Sequence, residues 1–138
     1  PIKDPEDRKA MIEGALDSTV DMIATDHAPH SAEEKSKGFE KSLNGITGLE
    51  CAFPVLYTGL VRPGVMTLER LVEMMAIAPR KRFGLPMGDG YAVMDLENPY
   101  VLDSGRFLSM GKCTSFDGWT VYGKTQMTFW NGKIVYEV

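Results

Sequence analysis

The chain has 138 residues, of which 43% are hydrophobic and 25% charged, with a formal net charge of −4. This is the composition of a globular protein large enough to bury a core. No basic run points to nucleic acid or an anionic membrane, and no apolar stretch approaches the roughly 20 residues of a membrane span. Pro1-Ile2-Lys3-Asp4 has neither an initiator methionine nor the regions of a signal peptide, so the start reads as a cut through a longer chain or a processed end. Cys51 and Cys113 lack CxxC spacing and a disulfide-dense context, which predicts reduced thiols in a cytoplasmic protein, with Cys51 on a buried helix face.

Asp4-Pro5-Glu6-Asp7 predicts a helix start, with Asp4 as cap, Pro5 at the first helical position and acids at the positive end. That helix should run to about Leu16 and stop at Asp17-Ser18-Thr19. Val20 to Thr25 reads as a short strand ending in Asp26-His27-Ala28-Pro29-His30, where Pro29 cannot continue a ladder. Residues 31–45 read as a solvated polar loop.

A second helix is expected near Thr47, which has capping-box spacing with Glu50 and is followed by Leu49, Ala52, Phe53 and Leu56 at helical intervals. Pro54 falls inside that stripe and predicts a kink. A third helix follows Thr67, with Leu68, Leu71, Val72 and Met75 on one face. Ala78-Pro79 should break it, leaving a basic turn, Arg80-Lys81-Arg82, that ends at Gly84. Met74 and Met75 read as helix packing. From Gly88 the texture becomes β, with strands expected at Tyr91–Leu96, Thr120–Tyr122, Thr125–Trp130 and Lys133–Val138. Asn131-Gly132 carries the strongest hairpin signal. The chain therefore divides near residue 88, α/β before it and all-β after it.

A strand, then Asp-His-x-x-His, a polar loop and a capped helix make a βα unit with its chemistry at the strand's C-terminal end. A carboxylate beside imidazoles suits amide hydrolysis, because zinc takes both donor types and brings a bound water to a pKa of about 7. The carboxylate can accept a proton from that water and pass it to a leaving nitrogen. The competing reading is a side-chain-capped turn, and residue pattern alone leaves both open.

Ile23-Ala24-Thr25-Asp26-His27-Ala28-Pro29-His30 with Glu34-Lys35 resembles the second signature of bacterial dihydroorotases, members of the amidohydrolase superfamily. The resemblance continues through Gly45-Ile46-Thr47-Gly48-Leu49-Glu50, through Ala78–Leu85, and through Gly111–Trp119 and Asn131–Glu137. Tyr91-Ala92-Val93 departs from the family's Ala-Asp-apolar pattern. The resemblance implies the C-terminal part of a (β/α)8 metal-dependent hydrolase barrel over residues 1–87, holding its last strand and helices, and a small β-sandwich segment over residues 88–138. It implies the zinc-dependent, reversible hydrolysis of L-dihydroorotate to N-carbamoyl-L-aspartate in pyrimidine synthesis. Asp26 would bind metal and shuttle the proton; His30, Asn44 and Gly45 would contact substrate.

His27 would play a supporting role, since the family pattern does not use it as a ligand. With only His27 and His30 in the chain, the other ligands of one or two zinc ions would come from elsewhere: a His-x-His pair, a carboxylated lysine and further histidines. The chain alone is expected to be inactive and to need the rest of the barrel or self-association, with a homodimer or an aspartate transcarbamoylase complex as possible assemblies. Alternatives are a sister cyclic amidohydrolase (hydantoinase, dihydropyrimidinase or allantoinase) or a non-catalytic dihydroorotase-like subunit that scaffolds aspartate transcarbamoylase.

Overall fold

The computed structural model describes residues 2–138, an α/β arrangement with its helices in the first part of the chain and its strands in the second. Helix α1, Pro5–Asp17, starts as the sequence predicts. The Asp4 carboxylate accepts from the Glu6 N–H at 2.9 Å, and Ser18 ends the helix in the left-handed region at φ 71°. Residues 20–25, read as a strand, form none. Their N–H and C=O groups find no ladder partner among the described residues, and the one bridge nearby pairs His27 with Ile46 in parallel. Extended chain of strand composition becomes a strand only when a neighbour accepts its hydrogen bonds.

The 31–45 segment holds more structure than a solvated loop. Helix α2, Ala32–Lys35, opens on a capping box in which Ser31 and Glu34 each satisfy the other's backbone N–H. The Lys35 ammonium then ties the loop shut by donating to the Leu43 and Gly45 carbonyls, both at 2.9 Å.

The capping box expected at Thr47 does not form. Thr47 is fully buried, and its hydroxyl donates 2.7 Å to the Gly111 carbonyl, 64 residues away. Glu50 turns to the same distant segment, and Leu49 is exposed. A long-range partner has displaced the local one, so helix α3, Ala52–Leu56, begins after Cys51 instead. Pro54 falls in its first turn, where the missing N–H has no intrahelical partner to lose.

Helix α4, Leu68–Val72, is capped by the Thr67 hydroxyl as its position suggests. Ala78-Pro79 does not break the run. Glu73–Ile77 widens into a π-helical turn, the Ala78 N–H reaches back to the Glu73 carbonyl, and helix α5, Ala78–Phe83, continues with Pro79 in its first turn. The wider turn absorbs the residue that cannot donate. Arg80-Lys81-Arg82 is thus helical, and Gly84 caps it at φ 64°.

Strands β1 Tyr91–Asp95, β3 Thr120–Val121, β4 Lys124–Trp130 and β5 Lys133–Glu137 fall where the sequence puts them, and β2 Tyr100–Val101 is a short strand that it does not indicate. β1, β4 and β5 make one antiparallel sheet with β4 central, and β2 pairs β3. Asn131 at φ 48° and Gly132 at φ 75° make the tight β4–β5 turn.

Two small cores result. Cys51, Leu102, Phe107 and Val121 form one, with Val55 of α3 packed against it; Met66, Leu71 and Met74 seal the helical layer against Val20 and Ile23. Met74 packs as the sequence implies, whereas Val72, expected on the buried face, is exposed. A compact monomer of 15.3 kDa exposes about 7,100 Å². This fold exposes 9580 Å², and Phe39, Leu108 and Met110 stand almost wholly in solvent. Among the described residues no helix is long and apolar enough to cross a membrane.

Candidate active site

Asp26 sits at the apex of the turn that follows residues 20–25. It is exposed and holds a left-handed backbone at φ 45°. An L-residue with a side chain pays about 1 kcal/mol or more to stay there, so its neighbours must hold it. Gly48 packs directly beneath: a Cβ added to it would meet the Thr25 carbonyl oxygen at 3.0 Å. The Ala28 N–H donates 2.9 Å to the Ile46 carbonyl, which lays 26–30 alongside 44–48.

That pairing brings three of the four predicted site residues together. His30 Nε2 lies 2.9 Å from the Asn44 carbonyl oxygen. Gly45, at φ 110°, admits Ala28, whose methyl would lie 2.4 Å from any Cβ there. Only glycine satisfies both conditions. The other ring nitrogen of His30, Nδ1, faces the Glu34 carboxylate at 3.8 Å. Ser31, chiefly through its N–H, holds Glu34 below the ordinary carboxylate range. Asp26 shares no hydrogen bond with His30, Asn44 or Gly45 among the described residues; it stands beside the group on the same turn.

His27 has a well-defined environment. Its Nδ1 accepts from the Gly48 and Leu49 N–H groups at 3.2 and 3.1 Å. Acceptance at Nδ1 leaves Nε2 as the protonated nitrogen, and Nε2 lies 3.4 Å from the Ser109 hydroxyl. Ser109 in turn donates 2.6 Å to Glu50, whose carboxylate also accepts from the Leu108 and Ser109 N–H groups. Burial pushes the Glu50 carboxyl up, but these donors and the Lys112 charge outweigh it and hold it below its ordinary value. Sequence reading missed Glu50 and Ser109. The only local signal was Glu50 itself, an acid whose apparent capping role hid a partner 59 residues on.

The cysteines are free and stand apart from this chemistry. Burial raises the pKa of the Cys51 thiol and Cys113 is exposed. Among the described residues no group of three or more His, Cys, Asp and Glu side chains could hold a metal ion. Asp26 therefore offers one donor where a catalytic zinc takes three protein ligands. Cavities of about 390 and 630 Å³ occur elsewhere, the first between Asp21, Arg70 and Lys81, the second between Phe53, Met75 and Tyr91. Asp26 itself is exposed, among half-buried neighbours Thr25 and His27–His30.

No family model matches the chain. It is 49% identical over 144 residues to the dihydroorotase of Bacillus cytotoxicus, an alignment covering 99% of this chain and 34% of that protein. The chain matches the dihydroorotases along its whole length. It spans about a third of the length of these relatives. Among solved structures, the L-hydantoinase (dihydropyrimidinase) of Arthrobacter aurescens superposes with a TM-score of 0.88 at 32% identity, covering 99% of this chain and 33% of that one. The dihydropyrimidinase of Brevibacillus agri gives 0.89 at 18% identity, over 99% of this chain and 32% of that one, a likeness of fold.

Proposed function

We propose that this chain is the C-terminal portion of a dihydroorotase, which hydrolyses L-dihydroorotate reversibly to N-carbamoyl-L-aspartate in pyrimidine synthesis. What carries the reading is the 49% identity to a dihydroorotase, against 32% to a hydantoinase. Residues 1–87 would complete a (β/α)8 barrel, with residues 20–25 as its last strand once a neighbouring strand lies beside them. Residues 88–138 would belong to a small β-sandwich. The enzyme would work in the cytoplasm.

Zinc, one ion or two, would be held by Asp26 together with ligands from outside these residues, and would supply hydroxide at neutral pH. Asp26 would take the proton of the attacking water and return it to the ring nitrogen as the amide opens. His30 would bind the substrate carboxylate, exchanging its contact with the Asn44 carbonyl for one with the ligand. Asn44 and Gly45 would contact substrate through their backbone. The solvent-facing apolar surface favours the rest of the barrel, and an assembly such as a homodimer or an aspartate transcarbamoylase complex, as cover.

A second reading, a sister hydantoinase or dihydropyrimidinase, draws on the superposition with the Arthrobacter aurescens enzyme. Turnover of dihydroorotate and dihydrouracil by the full-length protein separates the two. Preference for dihydroorotate is the expected result; preference for dihydrouracil would move the assignment to the sister enzymes.

A further inference from the structure

One segment, Phe107–Cys113, touches both sides of the Asp26–His30 turn. On one side Ser109 meets His27, and Glu50 holds Ser109 through its hydroxyl at 2.6 Å and its N–H at 2.9 Å. On the other, Gly111 lies against the backbone of Pro29 and His30, where an added Cβ would sit 2.3 Å from the Pro29 carbonyl carbon and 2.4 Å from the His30 oxygen. Thr47 fastens the same segment twice, its hydroxyl to the Gly111 carbonyl and its N–H to the Cys113 carbonyl, each at 2.7 Å. Apolar burial does not explain the position of Ser109, because its neighbours Leu108 and Met110 are 83% and 91% exposed. Directed polar contacts set it. Asp26, strained at φ 45°, is followed at once by the residue this chain of contacts anchors.

We infer that Phe107–Cys113 is a positioning strap for the reaction, in which Glu50 and Ser109 act through His27 to fix the backbone of the Asp26 turn. This rests on the hydrolase function proposed above. Ser109 and Glu50 touch neither substrate nor reacting atoms; they hold the ring that holds the turn. Losing such a support degrades the placement of the proton-carrying carboxylate more than the binding of substrate.

The test uses the full-length protein with Ser109→Ala, Ser109→Thr and Glu50→Gln. Ser109→Ala should lower kcat for dihydroorotate roughly tenfold, the lower end for lost supporting contacts, while KM stays within about twofold. Ser109→Thr retains the hydroxyl and should recover kcat to within about threefold of wild type. The Gly48 and Leu49 amides, bonded to His27, should exchange hydrogen faster in the alanine variant. A kcat for Ser109→Ala within about twofold of wild type, or equal losses in both Ser109 variants, would overturn the inference. Should Ser109→Ala fail to fold, Glu50→Gln decides by the same split between kcat and KM. If the wild-type protein does not turn over dihydroorotate, the functional reading has failed, and amide exchange at Gly48 and Leu49 judges the strap separately. Faster exchange in the variant upholds it and unchanged exchange refutes it.

Discussion

Replacing Thr47 with valine removes one hydroxyl at constant shape, in a residue with no solvent exposure. The hydroxyl donates to the Gly111 carbonyl at 2.7 Å, and Gly111 is itself buried. Valine leaves that oxygen dry and unpaired, which costs about 1–3 kcal/mol, the penalty for a buried acceptor without a donor. Thr47→Ser keeps the donor and loses one methyl, worth about 0.8 kcal/mol for a group of that size. Urea unfolding of the full-length protein, followed by intrinsic fluorescence, should place valine below serine and serine below wild type. The ordering separates the two causes: if burial of the methyl dominated, serine would be the worse variant. A valine variant within about 0.5 kcal/mol of wild type, the range of ordinary surface changes, would refute the role given to this hydrogen bond.

Glycine offers a paired test. Gly111→Ala should destabilise by about 1–3 kcal/mol or more, since its methyl would overlap the Pro29 and His30 backbone. Gly59→Ala, in a second π-helical turn at Tyr57–Val61 with open space around it, should be neutral or stabilise by up to about 1 kcal/mol in thermal unfolding. Glu50 predicts a pH effect. Its folded pKa lies below the ordinary value of 4.5, so its stabilising contribution is present above that pH and is lost as pH falls through the folded value. The stability gap between wild type and Glu50→Gln should therefore narrow on acidification below pH 4.5, measured by urea midpoints; a gap that stays constant contradicts the depressed pKa. On the proposed function, Asp26→Asn in the full-length protein should lower turnover of dihydroorotate by about 10²–10⁴-fold, and activity near wild type would remove Asp26 from the proton path.

What the sequence reveals about the fold depends on how far apart the interacting groups lie. The α1 start, the Thr67 cap, the Gly84 stop and the Asn131-Gly132 turn are all decided within a few residues, and each appears where the sequence puts it. The departures have distinct causes, most of them beyond the local pattern. Thr47 and Glu50 have the spacing of a capping box, yet their side chains bond to Gly111 and Ser109, partners that no local pattern reveals. Pro79 should end a helix, but a π-helical turn upstream supplies the missing accommodation. Residues 20–25 have strand composition and no strand, because a strand is a property of two segments and only one is here.

The candidate site divides the same way. Asp26 and His30 are legible because their signature is contiguous, whereas the contacts that hold their turn come from residues 46–49 and 109–111. The contact between His30 and the Asn44 carbonyl depends on a bridge from His27 to Ile46, which the signature alone does not encode. Ser109 is further still from view: nothing in Leu-Ser-Met marks it, and it gains meaning only because Gly111 lets the strap press against Pro29 and His30. The fold exposes roughly 2,400 Å² more than a compact monomer of its mass, on the area scaling for folded chains. At about 25 cal/mol per Å² even part of that area is a substantial drive toward cover. An exposed aspartate strained into position makes physical sense when other segments close over it, and the exposed Phe39, Leu108 and Met110 are apolar groups such segments could bury.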